Sequence, residues 1–253
     1  MLYSNMRLIQ VTREFISHLQ VSPGMKWLFA QSAMLALAMT IINDDFEDGR
    51  SQQGYIVALA NPSILNDKES IIHPICWSST TITRACRSTL MAETFALTKG
   101  TEAGTRIRAC IVDAQGKLDI KNWEETAALE MGHIWFTDCD SLYEHLVSVK
   151  MNQIENKRLR IDMMSLRQQI WERGGERSET LDYMRGDYPR WIDTSTMIAD
   201  PLTKVMNADR MTRTFETGVF DMVPTAESLA IKERNRQTRK SQRNAKHEKP
   251  EPE

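Results

Sequence analysis

Asp44, Glu93, Asp138 and Asp200 lie in four separate stretches of a 253-residue chain, each where a strand or helix would present its charge to one sheet edge. Carboxylate oxygens arriving from distant stretches are what hard divalent cations need, and two such ions about 4 Å apart suit phosphodiester hydrolysis. Each acid also has a plainer account. Glu93 falls three residues after Leu90 and four before Leu97, inside the apolar stripe of a helix, so it needs either a cation or an arginine such as Arg87. Asp138 closes the run His133-Ile134-Trp135-Phe136-Thr137 and could be a turn or cap residue. Asp200 precedes Pro201 and could cap the helix that follows.

These acids need a scaffold, and the pattern along the chain supplies one. Residues 35–42, 54–60 and 71–77 read as three successive strands of an antiparallel meander, the first two joined by a turn over 49–53. A long helix follows from Ser88, with Leu90, Leu97, Ile107 and Ile111 near one face, although Gly100 and Gly104 weaken it. Residues 119–130 read as a short helix or loop, and 132–137 as a fourth strand. Asp140 reads as a helix cap, and helical stretches follow from Ser141 and over 155–173. Residues 180–192 offer a fifth strand or hairpin, and 195–206 a last helix.

Around this core lie two outer segments. Leu8, Val11, Phe15 and Leu19 recur at helical spacing before Ser22-Pro23-Gly24 breaks the pattern. From Ile231 onward Lys, Arg, Gln and Glu alternate with almost no apolar residue, a composition expected to be disordered. The expected organisation is a connection segment with an N-terminal helix over 1–34, a main domain over 35–206, a helical extension over 207–230 and a charged tail over 231–253.

With 41% hydrophobic and 26% charged residues the chain reads as a soluble globular protein. The net charge of -2 gives no global attraction to nucleic acid, so any basic footprint must be local. Arg84 and Arg87 ahead of the Glu93 helix, and Lys157, Arg158 and Arg160 at the start of a later one, are the candidates; a solvated face is the alternative. The tail cations Lys232, Arg234, Arg236, Arg239, Lys240, Arg243 and Lys246 suit either salt-sensitive affinity for nucleic acid or nuclear import. Cys76, Cys86, Cys110 and Cys139 lack metal-ligand spacing and read as reduced. The apolar run over 27–42 is broken by Gln31, Ser32 and Thr40, which argues against a membrane span.

A resemblance joins the acids. Trp77-Ser78-Ser79, then Arg87-Ser88-Thr89-Leu90-Met91-Ala92-Glu93-Thr94, Phe136-Thr137-Asp138-Cys139-Asp140-Ser141-Leu142-Tyr143, Lys157-Arg158-Leu159-Arg160-Ile161-Asp162, and Trp191 followed by Met197-Ile198-Ala199-Asp200-Pro201-Leu202-Thr203-Lys204 appear in that order. Over 35–204 the chain resembles the RNase H domain that ends copia-type LTR retrotransposon polyproteins. The resemblance implies an α/β, RNase H-like fold with a five-stranded mixed sheet flanked by helices. It also implies a site in which Asp44, Glu93, Asp138 and Asp200 hold two Mg²⁺ or Mn²⁺ ions and the RNA strand of an RNA–DNA hybrid is cleaved. An intracellular setting, in a cytoplasmic particle or the nucleus, and a reverse transcriptase domain of the same polyprotein as partner are implied as well.

The first acid departs from the pattern. The family has Asp at the end of strand one, an aromatic residue three positions later and then a Ser-Gln-Gly-Gly-Tyr-like segment, here Arg50-Ser51-Gln52-Gln53-Gly54-Tyr55. Counting back three from Phe46 reaches Asn43, whereas a one-residue shift of the strand brings Asp44 to the site. Asn43 there implies a hybrid-binding module without activity, or a fold kept only as an interaction scaffold. The loop before Asp200 has Ser195 and Thr196 where many RNases H carry a histidine, and His133 and His145 read as packing or surface residues.

Overall fold

The computed structural model describes residues 33–41, 51–61, 64, 68–150, 153–172, 186–223 and 237, with 33–41 described as backbone only. The expected N-terminal helix lies outside the described residues, as does almost all of the charged tail. Six strands form one mixed sheet in the order β5–β4–β1–β2–β3–β6. Strands β1 (Ala33–Ile41), β2 (Gln52–Ala60) and β3 (Glu69–Thr81) make the antiparallel meander. Strands β4 (His133–Thr137) and β5 (Asp187–Trp191) run parallel to β1 on its other side. β1 thus joins a group of three strands to a pair, and the chain turns from one side of it to the other.

Val219–Asp221 adds a short sixth strand, β6, against Glu69–Ile71. The helical extension expected over 207–230 is therefore mixed in its described part. It begins as a helix (Asp209–Thr217) that stops at Gly218, whose φ of 69° is the left-handed conformation a helix C-cap favours, and then joins the sheet edge.

Helices α1 (Thr89–Ala114), α2 (Trp123–Glu130), α3 (Asp140–Val147) and α4 (Lys157–Glu172) belong to the expected helical stretches, and Asp209–Thr217 is α5. Ser88 caps α1 by accepting from the Met91 amide at 3.2 Å. Cys139 rather than Asp140 takes the N-cap position of α3; Asp140 is its first residue, where a negative charge faces the helix dipole favourably.

The last helix expected over 195–206 does not form. Two 3-10 turns, Thr194–Thr196 and Asp200–Leu202, stand in its place. Met197, Ile198 and Ala199 are all buried in one apolar cluster with Ile56, Ala58, Phe136 and Phe220. Three consecutive residues cannot share one face of an α-helix, so burying all of them requires irregular backbone.

That cluster fills one side of the sheet. On the other side α1 packs Ala103, Ile111 and Val112 against Val57 and Leu59, while Ala92, Phe95 and Ala96 meet Trp135 and residues of α3 and α4. Gly104 has a packing role within α1. A Cβ there would come 2.4 Å from His133 Nε2, so the glycine trades helix propensity for a close approach to the sheet.

Candidate active site

Where neighbouring parallel strands send their connections in opposite directions, a crevice opens beyond their carboxyl ends. Here that point is the β1–β4 boundary, and Asp138 is the first residue beyond β4. Its backbone is well held. Trp191 donates its indole N–H to the Asp138 carbonyl at 3.2 Å, and the Ile192 amide donates to the Thr137 carbonyl at 3.0 Å. The Cys139 amide donates to Thr137 Oγ1 at 3.2 Å.

Glu93 lies on the covered face of α1 and is 5% exposed, as its place within the apolar stripe predicts. Its carboxylate and that of Asp138 both act on Cys139. Burial chiefly pushes that thiol up, the Ser141 and Leu142 hydrogen bonds pull it down, and the two acids add to the rise. Arg87, the arginine weighed as a partner for Glu93, is exposed.

Asp200 opens the second 3-10 turn and is 4% exposed. Burial raises its carboxyl from the ordinary 3.8 to about 6, against the opposing pull of Lys204, and the charge of Asp138 adds to the rise. Asp138 is thus within electrostatic reach of Asp200 and shares the surroundings of Cys139 with Glu93. Asp44 and its alternative Asn43 lie outside the described residues.

The motifs around Gly54 and Trp77 hold the Asp200 turn in place, a role that the sequence did not reveal. A Cβ on Gly54 would come 2.9 Å from both Leu202 Cβ and Thr203 Cγ2, so only a bare backbone in β2 lets the turn sit this close. From β3, the Ser79 hydroxyl donates to the Leu202 carbonyl, and Gln52 donates to Ser79 Oγ at 2.8 Å. The chain returns over Asp200, with the Thr203 and Lys204 amides donating to its carbonyl at 3.0 and 2.9 Å. Lys204 Nζ then reaches both carboxylate oxygens, at 2.9 and 3.0 Å.

The five basic candidates are all exposed. The Arg84 guanidinium stacks 5.4 Å from the Phe95 ring centroid. Lys157, Arg158 and Arg160 occupy the first turn of α4, whose Arg158 and Leu159 amides are capped by Asn156 Oδ1 at 3.0 and 3.1 Å. Leu159 shares a core cluster with Ile82, Met91 and Phe95, so both basic groups border the same packing unit.

A second polar group lies at the opposite, amino ends of β4 and β5. Arg108 from α1 and Asp187 from β5 are 3.3 Å apart, and His133 Nδ1 from β4 is 3.3 Å from the same carboxylate oxygen. Trp135 donates to His133 Nδ1 at 3.1 Å, and Arg108 donates to the Met131 carbonyl. Burial outweighs the neighbouring carboxylate and lowers the His133 pKa, so the ring is neutral. His133 is a packing residue, as expected, and so is His145, which is buried. The pairing of Arg108 with Asp187 left no trace in the sequence pattern.

Carboxylates alone suit hard cations. Among the described residues, however, no three His, Cys, Asp or Glu side chains are grouped so as to hold a metal ion. The described acids therefore do not by themselves make a metal centre. Among the described residues no helix is long and apolar enough to cross a membrane, and the four cysteines are free thiols.

No family model matches the chain, and no curated protein does. Solved structures that are similar to the chain include these two. One is LC11-RNase H1 in a crystal structure with an RNA/DNA hybrid, with 12% identity and a TM-score of 0.41 over 67% of this chain and 92% of that one. The other is the N-terminal RNase H domain of Rv2228c from Mycobacterium tuberculosis, solved as a fusion with maltose-binding protein, with 11% identity and a TM-score of 0.36 over 74% of this chain and 95% of that one. Both are named as RNases H.

Proposed function

We propose that the protein is a ribonuclease H-type endonuclease that binds RNA–DNA hybrids across the β1–β4 crevice and hydrolyses the RNA strand there. The observation that carries this reading is the position of Asp138, immediately beyond β4 at the switch point of the sheet, with Glu93 and Asp200 within electrostatic reach of its surroundings. Hydrolysis by this reading calls for Mg²⁺ or Mn²⁺, and the described donors fall short of a centre. Completing it is a requirement on Asp44, Asn43 being the alternative that would leave one acid too few.

Arg84 and Arg87 stand ahead of α1, and Lys157, Arg158 and Arg160 at the start of α4, where they can meet backbone phosphates. Three cations in the first turn of a helix oppose its dipole, a placement that a bound phosphate relieves. Recognition through phosphates and 2′-hydroxyls reads duplex form rather than base order. Descent from a retrotransposon polyprotein, with a reverse transcriptase domain of the same polyprotein as partner, completes the reading.

A second reading, hybrid binding without cleavage, is favoured by one observation: a lysine occupies both oxygens of Asp200. A labelled RNA–DNA hybrid separates the two. The nuclease reading expects fragments that require Mg²⁺ or Mn²⁺, vanish with chelator and fall at least a hundredfold in Asp138→Asn. Salt-sensitive binding with no fragments from the wild type under any divalent cation would discard it in favour of the second.

A further inference from the structure

Lys204 follows Asp200 by four residues, but the pair differs from the usual exposed i,i+4 contact on a helix. The Asp200 side chain is 6% exposed and the lysine side chain 30%. The ammonium nitrogen lies 2.9 Å from one oxygen and 3.0 Å from the other, so it spans the carboxylate instead of touching one corner. Those are the oxygens that a hard cation would need. A buried carboxylate requires a positive partner, and the chain carries one within the same turn.

We infer that Lys204 is the resident counter-ion of Asp200 and competes with a divalent cation for that carboxylate. The inference rests on the reading that Asp200 belongs to the acidic edge. An ammonium spanning both oxygens neutralises the carboxylate and repels an arriving dication, so the cation binds more weakly until the lysine is displaced. Lysine can yield without unfolding the segment. The backbone is fixed separately by the Thr203 and Lys204 amides on the Asp200 carbonyl, and the side chain is a flexible stem with access to water. The built-in charge lets the turn pack at the sheet edge before any metal arrives, and it sets a threshold that a metal must exceed to take Asp200.

The test is Mn²⁺ binding to the full chain, followed by electron paramagnetic resonance, with circular dichroism recording the fold of each variant. Lys204→Met is expected to bind Mn²⁺ at least tenfold more tightly than wild type, or to take up one more ion. Lys204→Arg keeps the charge and stays near wild type, and Lys204→Met with Asp200→Asn loses the gain. Unchanged or weaker Mn²⁺ binding by a folded Lys204→Met overturns the inference. Should Lys204→Met fail to fold, the wild type decides. Mg²⁺ at concentrations that displace bound Mn²⁺ should shift the Lys204 ¹³Cε resonance, assigned by its loss in Lys204→Arg, and an unmoved resonance overturns the inference. Hybrid cleavage assayed in parallel separates the two claims. A gain in Mn²⁺ affinity without cleavage removes the nuclease reading alone, whereas wild-type cleavage with no gain in Lys204→Met removes this inference alone.

Discussion

Two carboxylates mark opposite ends of the same pair of parallel strands. Asp187 opens β5 and is sealed in the interior with Arg108 and His133. Asp200 follows β5, is nearly as buried, and is held by a lysine whose side chain reaches solvent. The first end is held by groups that cannot leave: a helix arginine, a neutral histidine and an indole that fixes it. The second is held by one that can. Burial alone therefore does not distinguish these two acids; what differs is whether the partner has somewhere else to go.

Asp187→Ala should have the largest effect, because it strands the Arg108 guanidinium in the interior; a loss of about 3–5 kcal/mol is expected in urea unfolding. Asp200→Ala should cost about 1 kcal/mol or less, since Lys204 can turn to water. Equal losses at the two sites would erase the distinction.

The two ends should also respond oppositely to acid. The Asp200 pKa is raised from 3.8 to about 6, so between these values the folded chain holds a proton that the unfolded chain has released. Its contribution to stability is present near pH 4 and is lost as pH rises through 6, on the order of 2 kcal/mol in all. The His133 pKa is lowered from 6.5, so the unfolded chain takes up a proton first and stability is lost as pH falls below 6.5. The opposing slopes should partly cancel in the wild type. Asp200→Asn should make the acid side of the stability profile steeper, and an unaltered profile would show that Asp200 ionises normally.

Much of this architecture was legible in the sequence because it depends on local pattern. Val57 and Leu59 alternate with Ile56 and Ala58 to give β2 two buried faces, and Ser88 marks the start of α1 by its cap. Glu93 stood out as a carboxylate within an apolar stripe, and it is buried. Illegible were the features that depend on distant partners. Gly104 reads as a helix weakness until His133 is seen above it, and Gly54 as the first residue of a strand until Leu202 and Thr203 pack on it. The run Met197-Ile198-Ala199 reads as helical because nothing local says that all three residues will be buried. Val219–Asp221 is too short for any period to register.

Those two glycines sharpen the contrast further. Gly104→Ala gains about 1 kcal/mol of helix propensity but pushes a methyl into a buried ring that has no room to move, for a net loss of about 1–2 kcal/mol in thermal or urea unfolding. Gly54→Ala presses on a turn at the open edge, which can shift outward. Stability should fall by less than about 1 kcal/mol, while hybrid cleavage drops by about a hundredfold as Asp200 is displaced. If the two variants lose stability and activity in the same proportion, the ends of the sheet are not specialised.

The smallest effect concerns the exposed cations. Arg158→Ala at the start of α4 removes one potential phosphate contact, so the slope of log affinity for an RNA–DNA hybrid against log salt should become shallower by about 0.9, with only a few-fold loss of affinity near physiological salt. Lys117→Ala serves as the reference, because Lys117 is exposed and already paired with Glu130 at 2.9 Å. Its loss should leave the slope unchanged. Equal slopes for the two variants would mean that the α4 cations form a solvated face, and the hybrid would then have to be held by Arg84 and Arg87 beside α1, where the same measurement on Arg87→Ala would show it.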